Sequence, residues 1–457
     1  MIRCISPIDG SLVAERTPLD LDAARDVVAA ARAAQRDWAA RPVAERAACV
    51  QRAVDFIGQT QDRMVQELAH QMGRPVRYGG EFGGFAERAE YMISIADRAL
   101  APLMVEESSA FLRMIEREPV GVVFVVAPWN YPYMTAINTV APALIAGNTV
   151  VLKHAAQTIL VGEHLADAFA AAGLPPGVFS NVVLAHETTA ALIADGDLGL
   201  VNFTGSVGGG RAMEVAAAGT FTAVSTELGG KDPGYVRADA DLDAAVDTLI
   251  DGAMFNSGQC CCGIERIYVH ESLFDAFVER AVALVRGYTL GNPLDEATTL
   301  GPMANARFAA LVREHIDDAV AEGAVAHIDT VAADDGGAYL TPQVLTGVHH
   351  GMRIMREETF GPAVGIMPVR DDDHAIELMN DSPFGLTCSL WTADSDAALA
   401  IGRQLQTGTV FMNRCDYLDP ALCWTGCKDT GRGAGLSELG YHALTRPKSY
   451  HLKKRTT

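Results

Sequence analysis

From Leu19 to about Met72 apolar residues recur at steps of three and four in an alanine-rich run, which predicts helix, with Pro42 dividing it in two. A further long helix is expected from about Phe85 to Leu100. Across 110–117 the pattern changes, and F-L-R-M-I-E-R alternates apolar with polar side chains, the mark of a strand with one face in solvent. The run that follows, V-G-V-V-F-V-V-A from Val120, is continuously apolar, as a strand buried on both faces would be. Thereafter P-W-N-Y-P, a helix, T-V-V-L-K, a helix ending near A-A-G-L-P-P-G, V-F-S-N-V-V-L, another helix and V-N-F-T-G-S follow in turn. Strands alternating with helices predict a parallel sheet. The alternation resumes after Lys231 with I-E-R-I-Y-V and later G-T-V-F-M-N, so a second α/β unit is expected. The fold class is therefore α/β, with two doubly wound parallel-sheet domains.

Composition narrows the functions open to such a fold. The 457 residues exceed what one core organises, and a net charge of −21 disfavours nucleic acid and anionic membranes as partners. The longest apolar run is far shorter than the ~20 residues a membrane helix needs, and no secretory signal is visible at the N-terminus. Nine cysteines, an odd number without disulfide-like spacing, fit a reducing compartment, so a cytoplasmic location is expected. Cys415, Cys423 and Cys427 have no histidine cluster to complete a zinc site, and no metal is expected.

The stretch F-N-S-G-Q-C-C-C places Cys260, Cys261 and Cys262 side by side after a glycine-containing turn. A thiol attacks an electrophile only as thiolate, and a turn presenting one at the start of a helix would favour that charge. Read alone, the triplet fits three small core residues equally well. Glu227 of S-T-E-L-G-G-K-D-P sits at a strand end before two glycines, as a general base or a capping carboxylate. Asn130 of P-W-N-Y-P is a rigid amide at a strand's carboxyl end, an oxyanion donor or a turn residue. F-T-G-S-V-G-G-G-R has the strand, glycine turn and helix that seat a phosphate, though not the G-x-G-x-x-G spacing.

These motifs, with V-V-L-K, E-E-T-F-G-P and W-T-G-C-K-D-T-G-R-G, occur in one order along the chain. The sequence as a whole resembles the aldehyde dehydrogenase superfamily, of the hydrolytic type that does not acylate coenzyme A. The resemblance implies a Rossmann-like NAD(P)-binding domain (1–102 and 118–230), a catalytic domain (231–440) and a β oligomerisation arm (103–117 and 441–457). It implies Cys261 as nucleophile, from N-S-G-Q-C-C, Glu227 as general base and Asn130 as oxyanion donor. Trp129, Lys153, Gly205, Ser206, Leu228, Glu358 and Phe360 are implied to hold the cofactor. Tyr131, Met134, Phe255, Cys260, Cys262, Asp416 and Trp424 are implied to line the aldehyde tunnel. The implied reaction oxidises an aldehyde to the acid with NAD, in a homodimer or homotetramer.

Two departures bear on this reading. NAD-preferring relatives often carry a glutamate three residues beyond the lysine, where this chain has Ala156, so NADP is admitted as well. The second glutamate that relays protons in many relatives falls at Gly435, with Glu438 near but shifted. Three alternatives remain in view: transfer of the acyl group to coenzyme A, a thiol esterase without nucleotide, and a non-catalytic protein on the same fold. The tunnel holds aromatics and the neutral groups Asn138 and Thr135, with no evident arginine pair, which favours an uncharged aldehyde over a semialdehyde acid.

Overall fold

The computed structural model describes residues 1–454. The last three residues of the expected arm, 455–457, lie outside the described residues. The long N-terminal helical run breaks twice rather than once, into Leu21–Ala39, Val43–Gln59 and Gln61–Met72. Pro42 makes the first break, and the second falls at Thr60, whose hydroxyl donates back to the carbonyl of Phe56 at 2.9 Å. The next helix spans Phe82–Ala99.

The first sheet has five parallel strands ordered Phe179–Val182, Thr149–Lys153, Val122–Val126, Leu200–Thr204, Ala223–Glu227. Its central strands, Val122–Val126 and Thr149–Lys153, read as near-continuous apolar runs because both faces are covered. Val123, Val125, Val150 and Leu152 enter one core, while Val122, Phe124, Val126 and Val151 enter another on the opposite face. Strand order reverses between Val122–Val126 and Leu200–Thr204, which makes their carboxyl ends the place for a ligand crevice.

The second sheet runs Val325–Ala326, Gln343–Thr346, Ala363–Val369, Ile264–His270, Asp232–Val236, Thr387–Trp391, Thr409–Met412. Six strands are parallel, and the short Val325–Ala326 strand pairs antiparallel at the edge. It too separates two cores, with Tyr235 and Tyr268 in one and Val236, Ile267 and Val269 in the other. A third sheet is antiparallel, with Phe111–Pro119 between Leu103–Glu107 and Thr445–Lys453. The outer strand leaves Leu103, Met104 and Val105 about half exposed or more, at 64%, 48% and 55%. No helix among the described residues is long and apolar enough to cross a membrane.

Candidate active site

The crevice forms where the fold places it. The loop after Val122–Val126 carries Pro128, Trp129 and Asn130, and the turn after Leu200–Thr204 carries Gly205 and Ser206. Together with Glu358 and Phe360 they line a cavity of ≈ 260 Å³. A second cavity, of ≈ 240 Å³, lies on the other side of Cys261. Cys261, Glu227, Thr204 and Leu228 belong to the walls of both.

Cys261 does not stand at a helix start, contrary to expectation. The Leu242–Met254 helix ends in a 3-10 turn, Phe255–Gly258, and the chain then passes through the triplet directly into the Ile264–His270 strand. Its thiolate is therefore not favoured by a helix that starts at the triplet. In the turn Asn256, Ser257 and Gly258 adopt φ of 54°, 57° and 69°. Left-handed backbone is unfavourable for the first two, so surrounding bonds must hold it. Ser257 donates to the carbonyl of Gly301 at 2.8 Å, and Asn256 Nδ2 to the carbonyls of Asn130 and Gln259, each at 3.2 Å. At Gly258 a β-carbon would meet the Gly361 carbonyl oxygen at 2.2 Å, so glycine is required there. Cys261 is half-buried, while Cys260 and Cys262 are buried with their sulfurs 3.5 Å apart. All three sulfurs lie within 4.8 Å of one another. Hydrogen bonding within the triplet, with burial, holds the Cys261 and Cys262 thiols above the ordinary range. Cys415, Cys423 and Cys427 do not converge: they bond separately to the carbonyls of Thr248, Trp424 and Gln406.

Asn130 is 4% exposed, and its position depends on residues that sequence reasoning missed. Its carbonyl accepts from Arg74 Nη2 at 2.6 Å as well as from Asn256. Arg74 also pairs with Glu81 at 2.7 Å, both fully buried, and Glu81 accepts from the amides of Tyr133 and Met134 at 2.9 Å each. This network fixes the loop from which the Asn130 side chain reaches toward the triplet, donating to the carbonyl of Gln259 at 3.3 Å. The Cys261 amide has no hydrogen-bond partner among the described residues, which leaves a second donor. Only Asn256 had a signal in the sequence, as the first residue of N-S-G-Q-C-C.

Glu227 ends its strand half-buried and accepts from Thr204 Oγ1 at 3.4 Å. Burial raises it to about 7, against the opposing effects of that hydrogen bond and the charge of Arg88. Gly435 faces it, since a β-carbon there would lie 3.0 Å from Glu227 Oε1. Glu438 does not fill the place of the missing glutamate: it is on the Ser437–Ala443 helix, 3.7 Å from Arg98 at the surface.

The cofactor-binding residues of the sequence reading converge, with one exception. Trp129, Gly205, Ser206, Leu228, Glu358 and Phe360 all line the ≈ 260 Å³ cavity, and Trp129 stacks on Phe308 at 5.2 Å between ring centres. Lys153 stands apart at the end of the adjacent strand, 8% exposed, with no side-chain partner among the described residues. Desolvation lowers its pKa. Ala156 follows in an exposed 3-10 turn. Glu358 accepts from the Gly230 amide at 3.0 Å and is raised to about 8, chiefly by burial. A β-carbon on Gly229 would touch its carboxylate at 2.3 Å, which explains the paired glycines. A buried ion pair, Lys231 to Glu265, steadies this wall, with Glu265 accepting from the amides of Thr359 and Phe360 at 2.8 and 2.9 Å.

These groups fit a dinucleotide. Ser206 caps the glycine-rich helix Val207–Ala217, accepting from the Gly209 amide, so unused amides face a phosphate site. The unpartnered Lys153 amine and the Glu358 carboxylate suit ribose hydroxyls. On the other side of Cys261, Tyr131, Met134, Phe255, Asp416 and Trp424 line the ≈ 240 Å³ cavity with Cys260 and Cys262.

A doubly wound sheet whose crevice ends on a cysteine defines the class of thiol-dependent nucleotide oxidoreductases. Comparison with known proteins gives the family. The chain matches the aldehyde dehydrogenase family over residues 1–450 and belongs to it. It is 35% identical over 455 residues to 3,6-anhydro-alpha-L-galactose dehydrogenase of Streptomyces coelicolor, covering 98% of this chain and 92% of that protein. Among solved structures it superposes on an NAD-dependent aldehyde dehydrogenase from Sinorhizobium meliloti with a TM-score of 0.95, at 33% identity over 100% of this chain and 92% of the other. An NADP-dependent enzyme of E. coli gives 0.95 at 28% identity, over 99% and 94%. The protein is an NAD(P)-dependent enzyme that oxidises an aldehyde to the carboxylic acid.

Proposed function

We propose that Cys261, Glu227 and Asn130 carry this oxidation. The observation behind the assignment is the wall shared by the two cavities, where the thiol and the carboxylate meet. Cys261 releases its proton to solvent and adds as thiolate to the aldehyde carbon, and the resulting oxyanion accepts from Asn130 Nδ2 and the Cys261 amide. The bound nicotinamide supplies a hydride acceptor, and loss of hydride leaves a thioester on Cys261. Glu227 then takes a proton from water, whose oxygen attacks the thioester and releases the acid. Arg74 and Glu81 are positioning residues for Asn130. Formation of reduced nicotinamide with a panel of aldehydes tests the reading; hydrolysis of an activated ester without nucleotide, with no aldehyde reducing nicotinamide, would favour the esterase instead.

Segments 1–102 and 118–230 form the cofactor-binding domain, which also supplies Asn130 and Glu227, and 231–440 forms the catalytic domain with Cys261. Ala156 governs cofactor choice. A glutamate there would accept two ribose hydroxyls and repel a phosphate. Without it NADP should be used within about a hundredfold of NAD, since one charged hydrogen bond amounts to about one to two decades. Ala156→Glu should restore strict NAD use, mainly by weakening NADP. Complete rejection of NADP by the unmodified enzyme would place the discrimination elsewhere.

The antiparallel arm, 103–117 and 441–457, is assigned to assembly. Its outer strand offers unpaired backbone beside Leu103, Met104 and Val105, a liability unless covered. A homodimer or a dimer of dimers is expected, and light scattering that shows a monomer at micromolar concentration refutes it. A cytoplasmic location fits the nine free cysteines.

A further inference from the structure

The cavity on the substrate side of Cys261 contains a cation that the reaction above leaves unused. Arg88, on the Phe82–Ala99 helix, lines that cavity and is 7% exposed. Its Nη1 donates to the carbonyl of Met134 at 3.1 Å and, weakly, to Asn138 Oδ1 at 3.4 Å. Its Nε has no partner, and the guanidinium pairs with no carboxylate among the described residues. Asn138, 3% exposed on the facing Pro132–Ala146 helix, lines the same cavity and has an unpartnered Nδ2.

Burying an unpaired guanidinium is strongly unfavourable, and two orphaned donors on facing helices add to the penalty. Nearby acids do not meet the need. Glu81 is already committed to Arg74 and to two amides. Glu87, next in the chain, is exposed and takes its bond from Tyr417. Glu227 faces Thr204, and Asp416 on the same cavity wall is raised to about 7, chiefly by burial, so its negative charge is incomplete at neutral pH. Arg414, two residues before Asp416 of the cavity wall, is exposed and stacks over Tyr417 at 3.9 Å. The site is also held rigidly. Gly84 allows the two helices to close, because a β-carbon there would lie 2.4 Å from Met134 Sδ.

We infer that Arg88, with Asn138 beside it, is a subsite for an anionic oxygen group on the substrate, so that the preferred aldehyde carries a carboxylate. This rests on the aldehyde-oxidising role of Cys261 and reverses the preference for uncharged aldehydes drawn from sequence. No local pattern marks Arg88, because it lies in a helix, in none of the chemical motifs, and reaches the cavity only through the packing of two helices. A carboxylate supplies the missing charge to the guanidinium on the cavity wall, in charge-assisted bonds that guanidinium geometry suits.

The test compares matched chain lengths: succinic semialdehyde against butanal, and glutaric semialdehyde against pentanal. The wild-type enzyme should favour the acid of at least one pair in kcat/KM by about one to two decades, the scale of a charged hydrogen bond. Most of the difference should lie in KM. In Arg88→Met that ratio should collapse toward one, and Arg88→Lys, which keeps the charge, should recover part of it. A measurement needing no variant is competitive inhibition of the wild-type enzyme: succinate and glutarate should inhibit more strongly than butyrate and pentanoate. Alkanals used as well as or better than both semialdehydes, with no advantage for dicarboxylates, would overturn the subsite while leaving the oxidation by Cys261 intact. An Arg88→Met variant that lowers both substrate classes equally would also overturn it. Failure of every aldehyde to reduce nucleotide would instead refute the assignment of Cys261, Glu227 and Asn130.

Discussion

Cys261→Ser is expected to lower kcat/KM for aldehyde oxidation by roughly three orders of magnitude or more, about 4 kcal/mol in the barrier, while nucleotide still binds. The substitution keeps the size of the side chain and removes only the ionisable, polarisable sulfur that forms the covalent bond. The neighbours provide the internal control. Cys260 and Cys262 are buried with their sulfurs 3.5 Å apart, whereas Cys261 alone is half-buried and common to both cavities. Cys260→Ser and Cys262→Ser should act mainly on KM, because they alter the wall against which the aldehyde rests. Steady-state kinetics with nucleotide binding by fluorescence checks all three variants. Wild-type turnover in Cys261→Ser would refute the assignment.

Much of this architecture is legible in the chain because period and burial coincide. Val122–Val126 is apolar throughout and Thr149–Lys153 at every position but its ends, and the structure buries both of their faces. The Phe111–Pro119 strand forms as expected, but its burial does not alternate: every position except the exposed Arg113 is half-buried. The motif residues were legible for a different reason. Each falls in a loop whose backbone needs particular residues, as Gly258 and the Gly229–Gly230 pair show. What the sequence concealed is long-range. Arg74 and Glu81 act on Asn130 across more than 45 residues of intervening chain, and nothing local to either marks that role. The orientation of the nucleophile was misjudged for a similar reason. A glycine turn before a helix and one before a buried strand look alike until the sheet is assembled, and here Ile264 opens a strand.

Glu227→Gln should separate the two halves of the reaction. Amide nitrogen cannot accept the proton of the attacking water, so hydrolysis of the thioester should slow by about a hundred- to ten-thousandfold, the usual share of a general base. Formation of the thioester does not require that carboxylate. The first turnover should therefore persist, giving a burst of reduced nicotinamide that approaches one equivalent per active site, followed by a slow steady rate. In the wild-type enzyme burial raises Glu227 to about 7, and this fixes the sign of its pH dependence. Above that pH the carboxylate is ionised and accepts the proton; below it the group is protonated, and a hydrolysis-limited rate falls about tenfold per pH unit. Glu227→Gln should lack this limb. Gly435 sharpens the test, because the position facing Glu227 carries no second carboxylate to take over the proton. Pre-steady-state kinetics across the pH range decides the matter: a variant with no burst, or with the wild-type acid limb intact, would move the base to another residue.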